Sequence, residues 1–333
     1  MKITVSYAIF FKVFVKRSCN SNGKFVSLKI PINATASYFG ACLNGIQTSM
    51  SNHTLSIKSS AYNLKTMVNH LNVSYDDLGE GIIPIIFLHG FPFDKTMWQE
   101  QIDFLKASNR VIAYDIRGFG KSTDEVSILS IDLFVDDLIG FMDSLAIEKA
   151  IVCGFSMGGY IALKAVKKYP DRFSAMILSD TQCIADTPEA KAKRYQTIDE
   201  IALNGSTQFI EKFIKNVFHK DSLINKKELV ANLQSVAHSN SQQVITAGLV
   251  ALAERTETCS FLSEVTIPCL IICGREDVVT PLAQSESMNT KIKGSILCVI
   301  EKAGHVSNLE QARVFNKHLA DFLNSIFGKA VAN

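Results

Sequence analysis

The chain has 333 residues, 47% of them hydrophobic and 20% charged, and a formal net charge of +2. This composition is typical of a globular protein long enough for one large domain with an insertion, and no apolar run approaches the roughly 18 residues of a membrane span. Residues 1–75 contain eight Lys or Arg and no Asp or Glu, so the other 258 residues carry a net charge of −6, which argues against nucleic acid as a partner.

The eight cysteines show neither C-x-x-C spacing nor another Cys/His metal-ligand pattern. Four of them lie in apolar runs that predict central strands, where a free thiol behaves as a small buried hydrophobic group: Cys153, Cys269, Cys273 and Cys298. We therefore expect a reduced chain that binds no metal and lies in the cytoplasm. Cys19 and Cys42 lie outside those runs and remain candidates for a pair.

Residues 1–66 differ from the rest of the chain, because they are basic, rich in Ser and Asn, and without helical periodicity. A leader, a non-native extension and an added structural arm all fit this composition. A secretory signal fits poorly, since Lys12 interrupts the apolar run of residues 5–15 and no clear cleavage site follows. We predict a dispensable basic extension over residues 1–66, and this atypical segment leaves secretion open.

From residue 67 onwards, predicted strands and helices alternate. Apolar or alternating runs predict strands at residues 71–75, 84–88, 111–114, 151–153, 175–178, 268–273 and 296–300. Apolar positions at helical spacing predict helices at residues 97–105, 134–145 and 308–327. Fully apolar strands that alternate with helices predict an α/β fold with a mostly parallel central sheet and helices on both faces.

The alternation stops for about 80 residues in the second half of the chain. There the pattern predicts helices only, at residues 188–201, 206–217, 226–237 and 241–253. We interpret this stretch as a helical cap inserted into the α/β domain. The predicted domains after the extension are a first core segment at residues 67–181, the cap at residues 182–259 and a second core segment at residues 260–333.

A glycine-flanked serine follows the apolar run of residues 151–153. Gly154, Ser156 and Gly158 form a G-x-S-x-G sequence between a predicted strand and a predicted helix. This pattern is typical of a sharp strand-to-helix turn that holds the serine hydroxyl exposed at a helix N-terminus. The same sequence also fits an ordinary glycine-rich turn, so a catalytic role for Ser156 depends on which residues follow the other strands.

Polar groups follow three further predicted strands. The sequence His89-Gly90-Phe91-Pro92 follows one strand, Asp277 follows another, and His305 follows the last. Because catalytic groups of parallel sheets gather beyond the carboxyl ends of the strands, we expect these residues to meet Ser156 at one edge. Their order along the chain, Ser then Asp then His, is the order found in α/β-hydrolases.

Residues 67–333 resemble the α/β-hydrolase superfamily, in particular its capped esterase and 3-oxoadipate enol-lactonase-like branch. The motifs that carry the resemblance are H-G-F-P at residues 89–92, D-x-R-G-x-G-x-S at 115–122, G-F-S-M-G-G at 154–159, G-R-E-D at 274–277 and A-G-H at 303–305. The resemblance implies the α/β-hydrolase fold with an inserted cap, and a serine hydrolase that needs neither a metal nor an organic cofactor.

The resemblance also implies a role for each site residue. Ser156 would be the nucleophile, His305 the general base and Asp277 the acid that orients the imidazole. Backbone N–H groups of Phe91 and Met157 would form the oxyanion hole.

Several polar residues have alternative interpretations. His89 is a second histidine at this edge but more often holds the oxyanion loop, and Asp180 at the end of a strand is an alternative acid. In the D-x-R-G-x-G-x-S motif we interpret the polar side chains as supports of a turn: Asp115, Arg117 and Ser122. The remaining histidines show no partner pattern and are expected to be solvated: His53, His70, His219, His238 and His318.

The predicted activity is hydrolysis of carboxylic esters, of the carboxylesterase or lipase type, on small-molecule substrates with short- to medium-chain apolar acyl groups. An enol-lactonase, a C–C bond hydrolase and a perhydrolase share the motifs and remain alternatives. A slowly turning-over ligand receptor or signalling protein is the alternative from another functional class. A homo-oligomer is possible, and no integral membrane segment is expected.

Overall fold

A computed structural model describes residues 61–122 and 128–328. Within these residues one sheet contains the strands β1 (Ala61–Val68), β2 (Leu71–Leu78), β3 (Ile85–Leu88), β4 (Val111–Tyr114), β5 (Ala150–Phe155), β6 (Phe173–Ser179), β7 (Cys269–Gly274) and β8 (Ile296–Ile300). Their spatial order is β1-β2-β4-β3-β5-β6-β7-β8. Strand β2 pairs antiparallel with β1 and β4, and every other pairing is parallel. The predicted mostly parallel α/β sheet is confirmed.

The helices of the described residues are α1 (Gln99–Leu105), α2 (Ile131–Ser144), α3 (Met157–Lys168), α4 (Pro188–Asn204), α5 (Thr207–Val217), α6 (Lys220–Asn225), α7 (Lys227–His238), α8 (Gln242–Ala253), α9 (Leu282–Lys291), α10 (Ser307–Glu310) and α11 (Ala312–Phe327). Short 3-10 helices lie at Lys95–Trp98, Pro170–Arg172 and Cys259–Glu264. Helices α4 to α8 all stand between β6 and β7, and we call residues 182–259 the insert.

Local sequence explains where the main elements begin and how they bury. Every residue of β3, β4, β5 and β7 is buried, as expected for parallel strands covered on both faces. Helix α2 begins after Ser130, whose Oγ accepts a hydrogen bond from Leu133 N at 3.1 Å. Thr187 and Ser241 cap α4 and α8 in the same way. Because the strands from β4 to β8 pair in parallel, their carboxyl ends lie at one edge of the sheet.

Three elements differ from the sequence predictions. Strand β1 starts at Ala61, inside the predicted extension, and its alternating exposed residues weaken the apolar signal. Helix α6 has only six residues, too few for a helical period to stand out. The predicted helix over residues 308–327 is interrupted at Gln311, where φ is −132° and ψ is 50°. The division into extension, core segments and cap stays a prediction.

The expectation of a fully reduced chain is wrong, because Cys183 and Cys259 form a disulfide. These residues lie near the two ends of the insert and are separated by 76 positions, so spacing along the chain gave no sign that they meet. The predicted buried thiols are free: Cys153, Cys269 and Cys273 are buried and Cys298 is half-buried. The other predicted pair, Cys19 and Cys42, lies outside the described residues.

None of the helices in residues 61–122 and 128–328 combines the length and apolar character that crossing a membrane requires.

Candidate active site

Ser156 lies in the tight turn between β5 and α3, with φ at +50° and ψ at −111°. A non-glycine residue with positive φ is strained, and such strain is typical of functional positions. Close packing enforces the turn, since a Cβ on Gly154 would lie 2.2 Å from Gly158 O and one on Gly158 would lie 2.4 Å from Leu88 O. Thr181 Oγ1 donates a hydrogen bond to Ser156 O at 2.7 Å. The serine hydroxyl is therefore held at the N-terminus of α3.

The structure brings Ser156, His305 and Asp277 together at the carboxyl edge of the sheet. His305 Nε2 lies 2.9 Å from Ser156 Oγ, and His305 Nδ1 lies 2.8 Å from Asp277 Oδ2. Ser156 is 9% exposed and His305 is 1% exposed. An ionised carboxylate can only accept hydrogen bonds, so Nδ1 carries the proton and Nε2 accepts from the serine hydroxyl.

Asp277 is held by four hydrogen bonds. Its Oδ1 accepts from Val279 N at 2.8 Å and Thr280 N at 3.0 Å, while Oδ2 accepts from Thr280 Oγ1 at 2.7 Å and from His305. Burial opposes ionisation, but the charge of His305 and these hydrogen bonds outweigh it and lower the pKa of Asp277 below its usual value. The carboxylate is therefore ionised and fixed in orientation.

His305 is the reciprocal case. Burial disfavours the charged imidazolium, yet the Asp277 carboxylate and its hydrogen bond outweigh burial, so the pKa of His305 is raised above its usual value. A histidine that accepts a proton more readily than a free imidazole suits general base chemistry.

Asp180, the alternative acid, lies next to this group but bonds to different partners. Its Oδ1 accepts from Gly274 N at 2.8 Å, and its Oδ2 accepts from Ser307 Oγ at 2.6 Å and Ser179 Oγ at 2.9 Å. Burial and then the negative charge of Asp277 raise the pKa of Asp180 to about 8. In this structure the imidazole of His305 is bonded to Asp277 and not to Asp180.

His89 supports the loop after β3. Its Nε2 accepts from Ile116 N at 2.9 Å, which leaves Nδ1 to donate to Gly90 O at 3.0 Å. Burial lowers the pKa of His89, so the neutral ring fits both bonds. Its side chain therefore ties this loop to the loop after β4, as the sequence analysis expected.

The D-x-R-G-x-G-x-S side chains also act as supports. Asp115 accepts from Lys95 N at 2.9 Å and from Lys121 N at 3.0 Å, and it forms a buried ion pair with Lys95 Nζ at 3.0 Å. Arg117 pairs with Asp137 at 2.6 Å. Ser122 Oγ accepts from Ser74 N at 2.8 Å. These contacts fix turns and are consistent with the structural interpretation of the motif.

The loop after β3 packs directly on the serine turn. A Cβ on Gly90 would lie 2.5 Å from the Phe155 ring and 3.1 Å from Ser156 Cβ, so a larger residue here would displace the Phe155 ring beside the nucleophile. Phe91 follows Gly90, and Met157 follows Ser156 as the first residue of α3. Met157 is therefore adjacent to the nucleophile in sequence, and Phe91 follows the glycine that approaches the serine turn. Both side chains are buried.

An aromatic cluster covers Phe91. Its ring lies 6.0 Å from that of Phe119 and 6.2 Å from those of Phe209 and Phe213, measured between centroids. A Cβ on Gly248 of α8 would lie 2.7 Å from the Phe91 ring. Phe209 and Phe213 belong to α5. The insert therefore contributes apolar groups above the loop that carries Phe91.

Three further residues that contact the site were not predicted from the sequence. Thr280 touches both Asp277 and, at 3.3 Å, His305 Nδ1; its signal is the D-x-x-T spacing, which allows a side chain to bond to backbone a few residues away. Buried Glu310 bonds next to His305 without a local signal. His219 was expected to be solvated and is instead buried, since its main chain packs against Gly304 and Glu310. Its imidazole caps α6 by accepting from Asp221 N at 3.2 Å.

In the described part of the chain, no group of three or more His, Cys, Asp or Glu side chains is arranged to hold a metal ion. The arrangement at the sheet edge can instead activate a hydroxyl group. A serine, a histidine with a raised pKa and an ionised carboxylate in one hydrogen-bonded line can move a proton away from the serine oxygen.

Comparison with known proteins places this geometry in context. A family model for the alpha/beta hydrolase fold matches residues 83–312. The chain is 31% identical over 245 residues to 3-oxoadipate enol-lactonase 2 of Acinetobacter baylyi, covering 73% of this chain and 90% of that protein.

Two solved structures are similar in fold and in sequence. A thermophilic esterase from Thermogutta terrifontis, determined with malate bound, has a TM-score of 0.76 and 30% identity, covering 80% of this chain and 99% of that one. An enol-lactonase from Burkholderia xenovorans has a TM-score of 0.73 and 25% identity, covering 78% and 100%.

Proposed function

The chain belongs to the α/β-hydrolase family, and from that membership we propose that it is a serine hydrolase that cleaves carboxylic esters through an acyl-serine intermediate. The observation that carries the proposal is the hydrogen-bonded line from Ser156 Oγ through His305 to Asp277, with distances of 2.9 and 2.8 Å. No step of this chemistry requires a metal ion or an organic cofactor.

The proposed reaction has two halves. Ser156 Oγ attacks the ester carbonyl carbon while His305 Nε2 accepts the serine proton, and the imidazolium then gives that proton to the leaving alkoxide. Water next attacks the acyl-serine while His305 Nε2 accepts a proton from the water, and the imidazolium returns that proton to Ser156 Oγ as the acyl–oxygen bond breaks and the carboxylic acid is released. Asp277 keeps the proton on Nδ1 and stabilises the imidazolium.

Phe91 N and Met157 N are the proposed donors to the tetrahedral oxyanion. As the first residue of α3, Met157 has a backbone N–H without a helical acceptor, and the helix N-terminus favours negative charge. The close approach of Gly90 to Ser156 supports the second proposed donor, because Phe91 is the next residue of the same loop. Loss of one such donor typically lowers kcat by about 100- to 1000-fold.

The proposed substrates carry an apolar acyl group. The insert is proposed to act as a cap that covers this group in the bound substrate. The aromatic cluster of Phe91, Phe209 and Phe213 supports this preference, since apolar groups gain by burial against such rings. Short- to medium-chain esters are therefore the proposed substrates, and the carboxylesterase label is preferred to lipase.

Enol-lactone hydrolysis is a second candidate, favoured by the similarity to 3-oxoadipate enol-lactonase 2. A lactone is a cyclic ester, so the same steps apply and the leaving oxygen stays attached to the acyl chain. An acidic lactone would need a cation for its carboxylate. Arg194 and Arg255 of the insert pair with Asp186, at 2.5 and 2.7 Å, so an acidic lactone that used either cation would have to share it with that carboxylate.

The test combines a fluorophosphonate probe with turnover of p-nitrophenyl esters of several chain lengths. We expect one adduct on Ser156 and repeated turnover that favours apolar chains of two to about eight carbons. An adduct with turnover of acidic lactones alone would favour the lactonase. An adduct without any turnover would favour a ligand receptor, and no adduct would contradict the proposed nucleophile.

A further inference from the structure

Glu310 joins two parts of the molecule through one buried carboxylate. It ends α10 and is 1% exposed. Its Oε1 accepts from Gly304 N at 2.6 Å, and its Oε2 accepts from His219 N at 2.8 Å. Gly304 directly precedes His305, whereas His219 belongs to the insert. One side chain thus bonds the loop of the proposed base to the insert.

The main chain of the insert forms hydrogen bonds with the loop that carries His305. His305 N and Val306 N both donate to Val217 O, at 2.8 and 3.2 Å. A Cβ on Gly304 would lie 2.8 Å from His219 N, so this approach leaves room for glycine only. We call residues 217–219 the docking segment. The loop of His305 is therefore packed against the insert at backbone distance.

A third contact holds the same pair of elements. Lys226 Nζ, at the start of α7, donates to the main-chain oxygen of Glu310. Glu310 thus meets the insert through both its side chain and its backbone.

We propose that Glu310 is a positioning residue for His305, because it bonds the His305 loop to the docking segment and so keeps the imidazole within reach of Ser156 only while the insert is docked. This inference rests on the proposed serine hydrolase function. It gives the insert a part in the chemistry beyond lining a substrate pocket.

A carboxylate suits this position because two backbone N–H groups point at it. An ionised carboxylate accepts both, whereas a glutamine of the same shape offers one acceptor oxygen and must turn its NH2 group towards the other N–H. Glu310→Gln therefore breaks one of the two bonds without changing side-chain volume. A small displacement of a reacting group lowers turnover strongly, so we expect kcat to fall by about 10- to 100-fold while KM changes less than about threefold.

The charge of Glu310 provides a separate signal. His305 faces the carboxyl groups of Asp277 and Asp180 as well as that of Glu310, and Glu310 faces His219 from the insert. Burial raises the pKa of Glu310, but its ionised form favours the imidazolium of His305. Loss of that charge lowers the pKa of His305, so the acidic limb of kcat/KM should move to lower pH by up to about 1 unit.

The experiment compares wild type, Glu310→Gln and the control Glu301→Gln, which alters an exposed ion pair with Arg275 in the same part of the chain. The measurements are amide hydrogen exchange of peptides that cover residues 217–222 and 303–307, the rate of fluorophosphonate labelling, and the pH profile of ester hydrolysis.

For Glu310→Gln we expect faster exchange in both peptides, at least tenfold slower labelling and a shifted acidic limb, with Glu301→Gln close to wild type. Unchanged exchange together with labelling within about twofold of wild type would overturn the proposal. A lower melting temperature with neither local exchange nor a shifted limb would reduce Glu310 to a structural role and overturn it as well.

A second variant keeps the test decisive if Glu310→Gln fails to fold. Lys226→Met removes the hydrogen bond from Lys226 Nζ to the main-chain oxygen of Glu310. We expect faster amide hydrogen exchange in residues 303–307 and slower fluorophosphonate labelling than in the wild type. Wild-type-like values in that variant would count against the coupling. Absence of ester turnover in the wild type would contradict the proposed function instead, because exchange and labelling still report on the docking segment.

Discussion

Substitution of Asp277 by asparagine tests whether Asp277 or Asp180 is the acid that orients His305. The hydrogen bonds of Asp277 predict how far kcat should fall. In Asp277→Asn, the amide oxygen must occupy the Oδ1 position, because Val279 N and Thr280 N both donate there. The amide NH2 then points at His305 Nδ1, where Oδ2 stood. A donor at that place makes Nδ1 an acceptor and moves the ring proton to Nε2.

A proton on Nε2 prevents His305 from accepting the proton of Ser156. The same tautomer error in a serine protease triad lowers kcat by about 10⁴-fold, which corresponds to about 5.5 kcal/mol in the activation free energy. We therefore expect Asp277→Asn to lose about 10⁴-fold in kcat while the fold is retained.

Asp180→Asn is the matched comparison, since it makes the same exchange of Asp for Asn at a neighbouring buried carboxyl group. Its amide oxygen can keep the bond from Gly274 N, and its NH2 can donate to the hydroxyl groups of Ser179 and Ser307, which also accept. With the pKa of Asp180 raised to about 8, the native group already carries a proton in much of the population at pH 7. We expect a loss of less than about tenfold.

The assay is p-nitrophenyl acetate or butyrate hydrolysis at pH 8, with circular dichroism to verify folding of both variants. Equal losses in the two variants would refute the reasoning. A larger loss for Asp180→Asn would refute it as well and assign the role of the acid to Asp180. Partial recovery of the activity of Asp277→Asn at high pH would not contradict the tautomer argument, because hydroxide can then take the serine proton in place of His305.

Three further predictions concern the same site and its surroundings. Ser156→Ala should lower ester turnover by at least about 1000-fold with an unchanged unfolding temperature; substantial residual turnover would remove Ser156 from its role. Because the pKa of His305 is raised and the base must be neutral, kcat/KM should rise with pH through a midpoint above 6.5, and a midpoint near 6 measured in a pH series would contradict the charge assignment. Cys183→Ser should lower the free energy of unfolding in denaturant by up to about 4.5 kcal/mol, since the bond closes a separation of 76 residues, and equal stability with and without reductant would contradict a structural disulfide.

Sequence reasoning predicted the parts of the fold that local patterns encode. Fully apolar runs gave the parallel strands, and the α/β-hydrolase fold is confirmed by the family match over residues 83–312. Because parallel strands end at a common edge, the order of motifs also predicted which side chains would meet. Gly154 and Gly158 became informative only together with the other strand ends, and in the structure neighbouring main-chain atoms leave no room for a Cβ at either position.

The remaining features depend on contacts between distant parts of the chain, which no local pattern records. Glu310 sits in an amphipathic run like many surface glutamates, and only the approach of the docking segment gives it two backbone partners. His219 was expected to be solvated because it shows no partner pattern in the sequence, and the main-chain contact of this residue with Glu310 comes from a part of the chain 91 positions away. Strand β1 alternates between exposed and half-buried residues, so its pairing with β2 was not visible from its own composition.

The disulfide also bears on how this domain can change over evolution or by design. The Cα atoms of Cys183 and Cys259 lie 4.9 Å apart, so the insert leaves the core and returns to it at nearly one point. A module with adjacent ends can be exchanged for another of different length without disturbing the strands on either side. A donor module that lacks a counterpart of Val217 would, however, leave the backbone N–H groups of His305 and Val306 without an acceptor, so the grafted segment must supply a carbonyl group at this point.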